Sequence, residues 1–211
     1  MRGSSALLAA MLSVLVTSVA HATTFNDVAS DLSNSFAAPS VLNLSAGSNL
    51  ITGRTGTQAG IDRDYFTITV PAGFRLSAIN LVATDVPSLS FLGVENGTAF
   101  SNPATTTPAQ LLGYVHFGQS LVGTNILDDI GLGAGAQGFS GPLNAGTYSF
   151  WLQENSTPVV NYQIDLTLSP AAAAPAPALP GAIGALILAG VLGVLGMRLV
   201  RNQVQPLAAS R

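Results

Sequence analysis

The alternation of apolar and polar positions is sharpest over residues 64–70, Asp64-Tyr65-Phe66-Thr67-Ile68-Thr69-Val70. Phe66, Ile68 and Val70 fall on one face and Tyr65, Thr67 and Thr69 on the other, the period of a half-buried strand. Pro71-Ala72-Gly73 follows, with φ fixed at the proline and unrestricted at the glycine, and predicts a turn into a second run over residues 75–83. Similar runs occupy residues 41–44, 89–94, 112–117, 147–153 and 161–168. The last of these places Tyr162, Ile164, Leu166 and Leu168 inward and Gln163, Asp165 and Thr167 outward. Only residues 26–36 read as a helical turn. Short strands separated by glycine, asparagine, serine and proline, without strand–helix alternation, predict an all-β domain: an antiparallel β-sandwich or jelly roll. Residues 97–110 and 118–146, the latter with eight glycines among 29 residues, break the pattern and read as disordered loops or tolerated insertions, with binding loops as the alternative.

Two apolar ends flank that domain. Residues 1–22 combine Arg2, an apolar stretch over residues 7–19 and the small-x-small site Ala20-His21-Ala22, the layout of a secretory signal peptide whose removal leaves Thr23 first. At the other end, alanine and proline dominate residues 170–180, an extended spacer. Residues 181–197 carry no charge and predict a transmembrane segment. Arg198 and Arg201 open a tail, residues 198–211, that basic flanking charge keeps cytoplasmic. The exported domain is then residues 23–169, long enough for one core and too short for two.

Composition narrows the class of function. The 211-residue chain is 48% hydrophobic and 8% charged, has no cysteine, and its seven basic residues are all arginine. Between residues 23 and 180 three arginines face ten acids, a net of −7, which excludes nucleic acid as a partner. The absence of cysteine removes thiol catalysis, iron–sulfur ligation and a disulfide framework.

The signal peptide, the run Ala174-Pro175-Ala176-Pro177-Ala178-Leu179-Pro180, the glycine-bearing span and the arginine tail together resemble the sorting signals of exosortase substrates, the PEP-CTERM proteins. The usual Pro-Glu-Pro is absent, and the motif is nearer to the proline-rich variants. The resemblance implies a sorting motif at Pro175, Pro177, Leu179 and Pro180 and a sorting transpeptidase as partner. Within the domain, residues 53–73, with Asp62-Arg63-Asp64-Tyr65-Phe66 leading into Val70-Pro71-Ala72-Gly73, and the later Asn144-Ala145-Gly146-Thr147-Tyr148 are similar to bacterial pre-peptidase C-terminal domains. Those are β-sandwich modules appended to secreted proteins, and the resemblance implies an accessory or adhesion role without catalysis.

Candidate chemistry is sparse. Beyond the signal peptide His116 is the sole histidine; it lies in the run Tyr114-Val115-His116-Phe117, and no Gly-x-Ser-x-Gly elbow occurs, so it reads as a strand-face residue. Asp62 and Asp64 would project to one side of an extended chain and are a candidate calcium pair, with turn-closing hydrogen bonds as the alternative. Tyr148, Phe150 and Trp151 are a candidate sugar-stacking platform, set against core packing. No other cofactor is expected. The sequence thus predicts a nonenzymatic exported protein of the cell envelope or surface, anchored or sorted through its tail, with a structural, adhesion or matrix role. The alternative is a surface-displayed carbohydrate- or calcium-binding module with extracellular polysaccharide as partner.

Overall fold

The computed structural model describes residues 23–57, 61–87, 89–154 and 159–172. The signal peptide, the transmembrane segment, the tail, most of the spacer and the motif at Pro175, Pro177, Leu179 and Pro180 lie outside the described residues. Among the described residues, no helix is long and apolar enough to cross a membrane.

Nine strands form two sheets there. The first runs in the order β1 (Thr23–Asn26), β3 (Asn49–Thr55), β9 (Val160–Pro170), β5 (Phe74–Thr84). The second runs β2 (Ser40–Leu42), β4 (Arg63–Val70), β8 (Gly146–Gln153), β6 (Ser90–Asn96), β7 (Gly113–Phe117). Side chains from both sheets meet in one apolar core, an arrangement of β-sandwich type: Ile51, Leu76, Ile79, Leu81, Ile164 and Leu166 from the first, and Phe66, Ile68, Leu92, Val94, Phe150 and Leu152 from the second. Phe66 and Phe150 are cross-strand partners and stack with ring centroids 4.9 Å apart. Each such fully buried side chain contributes about 1.5–3 kcal/mol.

The sheets are mixed, which corrects the expectation of purely antiparallel pairing. β1 pairs with β3 and β2 with β4 in parallel. A parallel pair needs a crossover between its members, and that is usually a helix. Here a strand of the opposite sheet serves: β2 intervenes between β1 and β3, and β3 between β2 and β4.

Residues 26–36 form no helix. The carboxylate of Asp27 accepts hydrogen bonds from the backbone N–H groups of Leu32 (2.5 Å) and Arg54 (3.3 Å), so a side chain holds the turn where helical bonds were expected. β4 is buried on both faces rather than half-buried, with Tyr65 and Thr67 as hidden as Phe66. Residues 118–146 are integral to the fold rather than a tolerated insertion. Ile126, Leu127 and Ile130 of this stretch, with α1 (Leu127–Gly131), enter the core, and its backbone bonds along β5 at Leu76, Ile79 and Leu81.

Strand β9 spans the sandwich from end to end, 11 residues or about 36 Å. Pro170 pairs with Phe74 at the end from which the chain leaves the domain, and Thr23 bonds near Gly47 and Ser48 at that same end. At the far end Val160 pairs with Thr55, and Gln153 with Arg63. The two ends are the exit pole and the far pole below.

Candidate functional site

Alternation along β8 sends Phe150 and Leu152 into the core and Trp151 to the outer face of the second sheet. Neighbouring strands add Tyr65 from β4, Phe91 from β6 and Tyr114 from β7 to that face. Residues 97–112 then fold over part of it. Phe100 and Leu111 are buried against Trp151 and Tyr65, with Phe100 edge-on to Trp151 at 5.6 Å. This cover is tied down at its root: Glu95 Oε2 accepts from the backbone N–H of Ser101 (3.0 Å) and from its hydroxyl (2.9 Å), while the Phe100 N–H donates to the Phe36 carbonyl.

What the loop leaves open is a groove of about 530 Å³ near the far pole. That volume falls within the roughly 300–1,000 Å³ of small-ligand sites. Its aromatic lining centres on Phe91, whose ring lies 4.8 Å from Trp151, 5.5 Å from His116 and 5.9 Å from Tyr114. Leu89, Leu111, Pro103 and Pro108 add apolar surface; Thr106, Thr107, Gln153 and Glu154 add polar groups. Gly93 makes room for the Phe91 ring, because a Cβ there would come within 2.9 Å of it. Trp151 Nε1 and Gln153 Oε1 are buried and have no hydrogen-bond partner among the described residues. No arginine lines the groove, and its single carboxylate is Glu154.

The acids expected as a calcium pair occupy a second place. Asp64 is fully buried and accepts a hydrogen bond of 2.5 Å from the Tyr162 hydroxyl. Tyr162 reaches it across Gly53, its cross-strand partner; a Cβ at residue 53 would lie 2.3 Å from the Tyr162 oxygen. Burial pushes the Asp64 carboxyl up to about 8, against the lowering effect of the Tyr162 bond and with further upward pressure from Asp27, Asp62 and Asp31. Burial also raises Asp62, and the Tyr162 hydroxyl is driven well above its ordinary value by burial and by Asp64. Asp64 is therefore held as a neutral acid at neutral pH. Asp62 Oδ1 and Asp64 Oδ1 lack hydrogen-bond partners among the described residues, and no group of three or more acids or histidines is gathered there to hold a metal. The amide-binding role foreseen for Asp62 and Asp64 falls to Asp27.

The expected sugar platform is divided by the fold. Tyr148 and Phe150 belong to the core, and Trp151 alone of the three lines the groove. His116 stands exposed on β7 with its ring edge-on to Phe91 and Tyr114. Phe91 and Tyr114, which complete the aromatic lining, were legible as outward positions of their strands. Their convergence with Trp151 depends on the order β8-β6-β7, which periodicity does not carry. No protein-family model matches this chain, and no curated protein sequence matches it.

Proposed function

We propose that this chain is a noncatalytic exported protein of a gram-negative cell envelope, delivered by its signal peptide and held or sorted through its C-terminal segment. Its β-sandwich serves a structural, adhesion or matrix role at the surface. The observation that carries this reading is polarity within the domain: the aromatic groove lies toward the far pole, while both chain ends leave from the exit pole. A module attached through residue 171 has its groove toward the pole opposite the attachment. The resemblances to exosortase substrates and to pre-peptidase C-terminal modules point the same way, as fold-level and motif-level analogy.

The deciding measurement is the intact mass of the protein recovered from its native envelope and medium, with protease shaving of intact cells alongside. A chain starting at Thr23 and ending near Pro180 supports sorting by a transpeptidase. A chain from Thr23 to Arg211 in the membrane fraction refutes sorting and leaves a single-span anchor. Protection of the domain from protease on intact cells would refute surface display altogether.

A further inference from the structure

The geometry points to a short run of a neutral, equatorially linked hexopyranose polymer as the occupant of the groove at the far pole, an inference that rests on the surface-display reading and names its ligand. Three properties of the lining select that chemistry. The first is the set of aromatic rings. Phe91, Tyr114 and Trp151 project from three adjacent strands of one sheet, so their spacing is set by the backbone ladder and not by a mobile loop. A pyranose with equatorial hydroxyls turns flat C–H faces outward, and these pack against aromatic rings while the hydroxyls point to the edges.

The second property is the polar rim. Gln153 and Glu154 lie two and three residues beyond Trp151 along the chain, and Thr106 lines the same groove from the covering loop. Sugar hydroxyls both donate and accept, and so match the amide, hydroxyl and carboxylate groups of that rim.

Charge is the third. With Glu154 as its one carboxylate and no arginine in the lining, and a net of −7 over residues 23–180, the groove disfavours an anionic polymer.

Trp151 is the sole tryptophan, so its fluorescence reports occupancy directly. Full-length protein in lipid nanodiscs, free of sugar-headed detergent, is titrated with cellohexaose, with an alginate hexamer and with a proline-rich decapeptide. Cellohexaose is expected to change the Trp151 emission saturably, with a Kd on the order of 0.1–1 mM. Tyr114→Leu and Phe91→Leu should each weaken binding at least about tenfold while leaving the circular dichroism spectrum unchanged. Because the wild-type titration decides by itself, a variant that misfolds does not rescue the proposal. No response to cellohexaose overturns it, as does tighter binding of alginate or of the peptide. Surface shaving reads display independently, so a displayed protein blind to cellohexaose fails here alone.

Discussion

Replacing Asp64 by asparagine tests the neutral-acid reading of the buried pair. In the folded chain the carboxyl titrates at about 8, whereas in the unfolded chain it returns to 3.8. Between those values the folded state keeps a proton that the unfolded state releases, so the stabilisation is complete below about pH 4 and is lost as pH rises through about 8. Each pH unit inside that window removes up to about 1.4 kcal/mol, hence about 2.7 kcal/mol between pH 5 and pH 7. For a chain of this length that corresponds to a fall in melting temperature of roughly 5–10 °C. Melting of the full-length protein, followed through Trp151, should show this loss in the wild type and most of it abolished in Asp64→Asn. A small remainder of the same sign belongs to Asp62, which burial also raises. The readout is the difference between the two pH values, which is independent of any uniform loss of stability in the variant. A wild type more stable at pH 7 than at pH 5, or a variant with an undiminished pH dependence, would refute the reasoning.

Further outcomes are expected from the same geometry. Gly53→Ala forces a Cβ to within 2.3 Å of the Tyr162 oxygen and should cost about 1–3 kcal/mol of stability, read as a lower melting temperature; an unchanged one would show that Tyr162 shifts aside freely. Glu95→Ala removes both bonds to Ser101 at the root of the covering loop, so limited chymotrypsin digestion should cut near Phe100 faster than in the wild type. Phe150→Ala opens the inter-sheet core opposite Phe66 and should cost about 3–5 kcal/mol in thermal unfolding. Millimolar calcium should leave the melting temperature unchanged, and a rise that grows with calcium concentration would assign a cation to Asp62 and Asp64.

Where the sequence was legible, one face of a strand was rich and the other poor. Strand β9 alternates without interruption, and its inward residues Tyr162, Ile164, Leu166 and Leu168 are the buried ones. Strand β3 escaped notice because its inward positions are Asn49, Ile51, Gly53 and Thr55, a single large apolar residue among four. Its place is set instead by partners: Asn49 donates from its amide to three carbonyls, and Gly53 accommodates Tyr162. Strand β4 misled in the opposite sense, since Tyr65 looked outward by period but is covered by Phe36, Phe100 and Trp151 from elsewhere in the chain. The glycine-rich stretch 118–146 resembles a flexible segment by composition. Within it Gly131 and Gly133 admit the backbone carbonyls of Phe139 and Tyr114 where a Cβ would collide, and Gly113 of β7 admits that of Ile130 from this stretch. Contacts of that kind join residues far apart in sequence, and local patterns hold no trace of them.

The position of β9 also bears on mechanical load. A pull on residue 171 directed along β9 would act on a strand that is flanked on both sides, by β3 and by β5. Its hydrogen bonds to both neighbours then resist in shear, many at once, where an edge strand peeled from one end would give way bond by bond. A ligand held on the second sheet would pass its force through the apolar core to the one strand least easily drawn out of the first.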